Sequence, residues 1–382
     1  MRNSFTLVTL YIVAFVGFTG FSLLFPVIPL YAAELGADVA QVGVIAAMNA
    51  YVAAFLLIPM GLLSDRVGRH RLLVGGLTLF TLAPLLYPLA SNPTQLILVR
   101  VIHGMAAAAF LPAAIALVID LTPPEKRGSA IGWYTASLQL GLMAGPITGG
   151  FLLRYFGFDP VFYACAAVSA VALILISARV RAFVYQPAPE AAEARSWGWM
   201  KQTLVFAALM TPMFIAVGSG TIATYIPFYA DFLGTNEASA GAIITAMYAS
   251  SALLRIPVGR LADKVDKKLI ITSGLGLSAL AVGLISPFHT LPQLILLAIL
   301  FGIGMGVAMP ASLAMAADFS PARARGLTMA ISTSFFQVGF AVGTTAMGLV
   351  GQVSNFQTLF LASGLSMGFG FLLIFGLMRV KR

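Results

Sequence analysis

The chain has 382 residues, of which 60% are hydrophobic and 9% are charged, and its mean hydropathy is +0.96. No water-soluble domain exposes such a surface, so the composition predicts an integral membrane protein. The formal net charge is +9, but the distribution of the cations described below argues against a nucleic-acid partner.

Twelve apolar runs of membrane-spanning length recur along the chain, and none shows the in/out alternation of barrel strands. The predicted spans are 6–32, 40–62, 72–90, 95–119, 129–152, 160–178, 202–230, 238–258, 269–287, 293–317, 327–350 and 357–378. An even number places both termini on one side. All Lys and Arg residues except Arg100, Arg154 and Arg255 fall on that side, which the positive-inside rule makes cytoplasmic.

The chain repeats itself at a fixed offset of 198 residues. Pro29 and Tyr31 return as Pro227 and Tyr229, and the register holds without a slip as far as Gly145 and Gly343. Identities at one spacing over this distance indicate an internal duplication. We therefore predict two six-helix halves, 1–178 and 202–382, joined by a cytoplasmic linker, 179–201. The prolines near the ends of spans 1 and 7 are expected to bend both helices.

A charged loop between spans 2 and 3 is repeated between spans 8 and 9. Gly61 permits close approach of a neighbouring helix, and Gly68 predicts a tight turn. Asp65, which lies between these glycines, has a carboxylate that can bond a cation. The residues of this predicted conformational latch are Gly61, Asp65, Arg66, Gly68, Arg69 and Arg71, with Asp263 and Lys264 in the second copy. Either Arg66 or Arg127 is expected to pair with Asp65.

This loop, its second copy and the duplicated twelve-span layout resemble the major facilitator superfamily of secondary transporters. The resemblance covers the whole chain. It departs at His70, where the family usually has Arg or Lys, and at Asp266, which replaces the second glycine of the repeated loop. It implies an all-α membrane fold with a cavity between two pseudo-symmetric halves that opens alternately to either side.

Span 4 carries Arg100 and His103 on one helical face. A charge inside a span is costly unless it faces a wet cavity or a partner. The counterpart of Arg100 in the second half is Ala298, so the arginine is not part of the duplicated scaffold. It also resembles the span-4 arginine of drug:proton antiporters in this superfamily, which implies a role in proton handling.

Span 5 carries the most specific pattern of the chain, a set of glycines and one proline that resembles the antiporter signature of the superfamily. The six positions are Gly132, Gly141, Gly145, Pro146, Gly149 and Gly150. Generic close packing of helices is the alternative interpretation, since glycines on one face permit it and proline bends the helix.

Polar residues in the spans expected to line the cavity are candidates for substrate contact. They are Ser22, Gln139, Thr221, Thr224, Tyr225, Thr333 and Gln337. Arg255 in span 8, where the first half has Leu57, either snorkels to the cytoplasmic surface or serves the cavity.

No Asp or Glu lies in the middle of any predicted span. Proton coupling then falls to His103 beside Arg100, or to Glu34 and Asp231 at the outer mouth. There is no phosphate-binding loop and no metal constellation, so we expect no enzyme, no metal and no cofactor other than a coupling proton.

The sequence favours a monomeric, multi-pass transporter of a bacterial or archaeal cytoplasmic membrane, where its partners are the bilayer and a small molecule. The favoured activity is efflux of small lipophilic, multidrug-type molecules by proton antiport. Uptake or facilitated transport of a neutral or anionic metabolite is the first alternative. A non-transporting membrane sensor is the second.

Overall fold

The computed structural model describes residues 2–123, 126–179, 202–261, 265–320 and 325–379, and their regular structure is helical. The α-helices are α1 (Arg2–Leu23), α2 (Val27–Glu34), α3 (Val39–Val67), α4 (Arg69–Leu86), α5 (Pro93–Asp120), α6 (Arg127–Phe156), α7 (Phe158–Arg179), α8 (Thr203–Phe232), α9 (Glu237–Leu261), α10 (Lys267–Gly283), α11 (Leu291–Phe319), α12 (Arg325–Val353) and α13 (Phe356–Arg379). The predicted linker lies outside the described residues beyond Arg179.

Within the described residues, ten helical segments, with α1 and α2 counted as one, are long and apolar enough to cross a membrane. The other two long helices, α9 and α10, occupy the predicted spans 238–258 and 269–287. The all-helical, multi-pass membrane fold is therefore established.

The helix is interrupted near the proline of span 1 but not near that of span 7. The helix breaks at residues 24–26, between α1 and α2, whereas α8 continues through Pro227. The break includes Pro26, which has no backbone N–H to donate. Its counterpart Thr224 keeps that donor, and Pro227 alone does not interrupt the helix.

Short turns join the helices and define the two ends of the bundle. At one end Gly68 is the single residue between α3 and α4, with a φ of +99° that side chains rarely allow. This is the tight turn that the sequence predicts. At the opposite end Gly157, with a φ of +82°, joins α6 to α7. We call these the Gly68 end and the Gly157 end.

The duplication extends to individual contacts. The Tyr31 hydroxyl donates to the Ala90 carbonyl at 3.3 Å, and the Tyr229 hydroxyl donates to the Phe288 carbonyl at 3.0 Å. Both partners are displaced by the same 198 residues. The offset read from the sequence therefore describes the tertiary structure of both halves.

Two seams join the halves, one between α3 and α12 and the other between α6 and α9. In each, an added Cβ on a glycine would meet a backbone carbonyl oxygen of the other half. The four contacts are Gly43 with Thr344 (2.8 Å), Gly348 with Val39 (3.0 Å), Gly150 with Glu237, and Gly241 with Pro146. The 198-residue offset converts the contacts of one seam into those of the other. The halves therefore meet backbone to backbone, about a pseudo-twofold axis.

The polar contacts between described residues of the two halves lie in the part of the bundle nearer the Gly157 end. The Val39 amide donates to Gln352 Oε1 at 3.1 Å, and Arg154 Nη1 lies 3.8 Å from Glu237 Oε2 in an ion pair. Phe25 also stacks on Tyr248 across the halves, with a centroid distance of 5.9 Å.

Candidate functional site

The glycines of α6 serve two different neighbours. An added Cβ on Gly141 would lie 2.5 Å from the Phe15 carbonyl oxygen of α1, and those on Gly145 and Gly149 would also contact α1, at Ser22 and Leu23. These three share one helical face. Gly150 instead faces α9 in the other half. Gly132 has no described atom within 4 Å of an added Cβ.

Thr245 of the second half is inserted into the backbone of α6 beside Pro146. Its hydroxyl accepts from the Ile147 amide at 3.0 Å and donates to the Met143 carbonyl at 3.0 Å. These two backbone groups would bond each other in an undisturbed helix. The Thr245 hydroxyl therefore competes with this helical hydrogen bond. The counterpart of Thr245 is Ala47, so the α3/α12 seam has no equivalent.

Arg100 lies in a buried polar cluster within the first half. Gly104 lets α5 approach α3 so closely that its Cβ would be 2.7 Å from the Asn49 carbonyl oxygen. One turn away, Arg100 therefore reaches the α3 backbone. Its guanidinium donates to the carbonyls of Ile45 at 3.2 Å and Ala46 at 3.0 Å, and to the Asn49 side-chain oxygen.

Tyr87 connects Arg100 to His103. Its hydroxyl oxygen accepts from Arg100 at 3.5 Å and lies 3.0 Å from Nδ1 of His103. When Tyr87 donates to Nδ1, the ring proton of the neutral histidine is on Nε2. That nitrogen is buried, has no hydrogen-bond partner in the described structure, and its ring packs edge-on against Phe21 and Phe80.

The second half replaces this cluster with apolar side chains. Asn49, Tyr87, Arg100 and His103 correspond to Met247, Ile285, Ala298 and Phe301, all four of which are buried in its hydrophobic core. Both Gly104 and its counterpart Gly302 still approach the same position of the neighbouring helix. The helix packing is therefore shared, and the polar chemistry belongs to the first half alone.

The charged loop at the Gly68 end pairs differently from the prediction. Arg69 contacts Asp65 at 3.5 Å and Asp120, at the end of α5, at 2.7 Å. Arg66 and Arg71 are exposed, and Arg127 donates instead to the Thr122 carbonyl at 3.3 Å. Arg69 is the partner because it begins α4, one turn after Asp65 and facing the end of α5.

The second half repeats the pair between Arg69 and Asp120. Lys267 lies 2.5 Å from Asp318, at the same offset of 198 residues. Asp263 and Lys264, the predicted latch residues of this half, lie outside the described residues. Close approach at Gly61 is not formed in this conformation, since its added Cβ would meet only Pro112 Cβ, at 3.9 Å.

The other candidate residues do not converge on one point. Ser22 donates to the Gly141 carbonyl at 3.0 Å, Tyr225 to the Thr344 carbonyl at 2.7 Å, and Thr221 bonds Ser363 at 3.0 Å. These three therefore tie helices together. The rest are placed as follows: Thr224 and Gln139 are buried, Thr333 bonds the Met329 carbonyl, Gln337 is half-buried, and Glu34 and Asp231 are exposed at the Gly157 end.

Arg255 is half-buried on α9, and its Nε has no hydrogen-bond partner. Within the described ranges, no group of His, Cys, Asp or Glu residues has the arrangement of a metal site.

Sequence reasoning missed Asn49, Tyr87, Thr245, Asp120, Lys267 and Asp318. Three of them could have been found by comparing the halves, since each is polar where its counterpart is apolar: Asn49 with Met247, Tyr87 with Ile285, and Thr245 with Ala47. The other three belong to the repeated ion pair, since Asp120 corresponds to Asp318 and Lys267 corresponds to Arg69.

The chain belongs to the Major Facilitator Superfamily, since the model of that family matches residues 10–211 and 208–382. It is thus a member of a transporter family rather than an enzyme.

Its relatives include proteins named for drug efflux. It is 29% identical to multidrug resistance protein MdtG of Klebsiella pneumoniae, with 90% of this chain and 86% of that protein covered. It is 27% identical to the multi-drug resistance efflux pump PmrA of Streptococcus pneumoniae (91% and 90%), and 22% identical to an uncharacterised MFS-type transporter of Methanocaldococcus jannaschii (92% and 92%).

Solved transporter structures share the fold. A bacterial homolog of the human lysosomal transporter Spinster, inward-facing and occupied, matches with a TM-score of 0.85 at 16% identity, over 99% of this chain and 97% of that one. The nucleoside transporter NupG matches with a TM-score of 0.80 at 14% identity, over 98% and 100%.

We predict that Gly141→Ala destabilises the protein and that Gly132→Ala does not. The methyl group at 141 has backbone as its neighbour, which cannot move aside, so overpacking is expected to cost about 1–3 kcal/mol. Thermal unfolding in detergent measures both variants against the wild type. Equal unfolding temperatures for the two variants would contradict the packing described for α6.

We predict that Arg69→Gln lowers the stability by about 1 kcal/mol, because both of its ion pairs are lost. Arg66→Gln is the matched control on the neighbouring turn, where the side chain is exposed, and it is expected to change little. The same unfolding assay applies at low salt, since salt screens such pairs. If Arg66→Gln had the larger effect, the assignment of Arg69 as the partner of Asp65 would be wrong.

Proposed function

We propose that the protein is an efflux transporter that exports small lipophilic molecules in exchange for protons across the cytoplasmic membrane of a bacterium or archaeon. It would act as a monomer with twelve spans and both termini in the cytoplasm. The observation that carries the proposal is the antiporter-type helix α6, whose glycines let it pack against α1 and, through Gly150, against the other half. The names of MdtG and PmrA support efflux of drugs.

The location of the seams supports alternating access. The backbone contacts and polar contacts between the halves are concentrated toward the Gly157 end. The positive-inside rule makes that end extracellular, which supports the interpretation of this conformation as inward-facing. Rocking of the halves about the substrate site would open the seams and close the Gly68 end.

In the closed Gly68 end the charged loop would act as the latch. Arg69 presently holds Asp65 and Asp120 within the first half. An approaching second half would offer these carboxylates other partners, so that ion pairs are exchanged rather than simply lost.

His103 is the group best placed to couple protons to this motion. It is the histidine of the buried cluster, and no carboxylate in the described residues lies within the interior of a membrane helix. A proton on Nδ1 would end the donation from Tyr87 and place a second cation beside Arg100, which is bonded to the α3 backbone. Protonation would therefore disturb the contact between α3 and α5, and α3 also forms one of the seams.

Transport of a neutral or anionic metabolite is the alternative that a specific observation favours. Arg100 and Arg255 are both within membrane helices, whereas the carboxylates of the described residues are near helix ends. Within the described parts of the membrane helices, a cationic cargo would meet no buried opposite charge.

We predict that His103→Phe, which copies Phe301 of the second half, abolishes proton-driven transport while leaving downhill movement of the same compound. The assay uses purified protein in liposomes with a trapped pH-sensitive dye and a panel of lipophilic cations, neutral compounds and organic anions. Glu34→Gln and Asp231→Asn test the alternative proton sites at the Gly157 end.

Proton movement that a compound triggers in the wild type but not in His103→Phe supports the proposal. Unchanged proton movement in His103→Phe, with loss in Glu34→Gln or Asp231→Asn, rejects His103 but retains antiport. Compound movement without any proton flux in the wild type would show a facilitator instead.

A further inference from the structure

Arg255 differs from the rest of the duplicated scaffold. It lies six residues before the end of α9, or about 9 Å along the helix axis. Its first-half counterpart, Leu57, is buried at 4% exposure, so an apolar side chain is sufficient for helix packing at this position. A guanidinium here is not required by helix packing.

The two intramembrane arginines are in opposite states. Arg100 donates to two carbonyls, one amide oxygen and one hydroxyl, so its charge is solvated by the protein. Arg255 has no hydrogen bond or ion pair to any described residue, and its Nε is buried. A buried donor without a partner is unfavourable, and an anion with acceptor oxygens relieves that cost at the half-buried guanidinium.

Ser251 lies one turn before Arg255 on the same helical face. It is fully buried, and its hydroxyl also has no hydrogen-bond partner in the described structure. Its backbone adjoins α11, where an added Cβ on Gly306 would lie 2.7 Å from the Ser251 carbonyl oxygen. Two unsatisfied donors are therefore adjacent on one face of α9.

This face of α9 reaches the junction between the halves at Tyr248. Tyr248, one turn before Ser251, stacks on Phe25 of the first half. Val258, on the other side of Arg255, is buried at 6% exposure. A molecule held at Arg255 would thus have its polar group at the two donors and apolar and aromatic side chains along its body.

We propose that Arg255 and Ser251 bind the anionic group of the transported molecule, which makes the substrate class an amphiphilic organic anion such as a carboxylate or sulfonate on an apolar body. The planar guanidinium can hold two oxygens of such a group at once. This assignment rests on the proposed transport function and narrows its cargo.

The test uses three probes with one apolar body: pyrenebutyrate, pyrenebutanol and pyrenebutylamine. Dissociation constants come from thermal stabilisation of the purified full-length protein in a single detergent, so that partition of each probe into micelles is the same for all variants. The variants are Arg255→Leu, which copies Leu57, together with Arg255→Lys and Ser251→Ala.

We expect the wild type to bind pyrenebutyrate at least about tenfold more tightly than pyrenebutanol, because one charge-assisted bidentate contact changes the affinity by about that factor. Arg255→Leu should lose that preference without weaker binding of pyrenebutanol. Arg255→Lys should keep part of the preference, because the charge remains but the fork is lost.

Equal affinities for the three probes, or a preference for the amine, would overturn the assignment, as would a preference for pyrenebutyrate that persists in Arg255→Leu. Transport in liposomes separates this failure from failure of the proposed function. Transport of neutral compounds without any carboxylate preference rejects the anion site alone. Binding of pyrenebutyrate through Arg255 without transport of any compound rejects the transport function alone.

Discussion

The contact on which this structure depends is the approach of two helix backbones without side chains between them, made twice. In both seams a glycine of one half faces a carbonyl of the other, and the two seams are related by the internal duplication. In a bilayer, where apolar side chains gain nothing by leaving lipid, small residues are the means by which helices associate closely. Such contacts have short range, so the proposed rocking of the halves would either make or break them. This suits a joint between two rigid bodies.

Comparison of the halves separates scaffold from chemistry. Positions that recur, such as the tyrosines bonded to carbonyls at the Gly157 end and the ion pairs at the Gly68 end, hold each bundle together. Positions that do not recur carry the polar features: the cluster around Arg100, the Thr245 hydroxyl and the unpartnered Arg255. Each of these has an apolar counterpart in the other half. Duplication supplies a control within the same chain, since the counterpart shows what the fold tolerates there.

Much of the fold could be predicted from the sequence, because helix length, hydropathy and the offset of 198 residues are local or periodic signals. The turn at Gly68 could be predicted for the same reason. The partner of Asp65 could not, since Arg66 and Arg69 are both nearby in sequence and only the direction of α4 selects between them. Nor could the acceptors of Arg100, which are mainly backbone carbonyls and carry no sequence signature. Nor could the difference between α1 and α8 be predicted, since both carry the repeated proline and only the break after α1 also contains Pro26, which has no proline counterpart.

The most direct test of the account is a pair of distances across the halves, measured by electron spin resonance on doubly labelled protein. One pair, Val67 and Val265, lies at the Gly68 end, and the other, Tyr155 and Val353, at the Gly157 end; all four side chains are exposed and each pair is related by the duplication. The buried Cys165 would first be replaced. On addition of a transported compound with a proton gradient, we predict a population in which the Val67 to Val265 distance shortens while the Tyr155 to Val353 distance lengthens. Distances that stay fixed, or that change in the same direction, would contradict rocking about the two glycine seams.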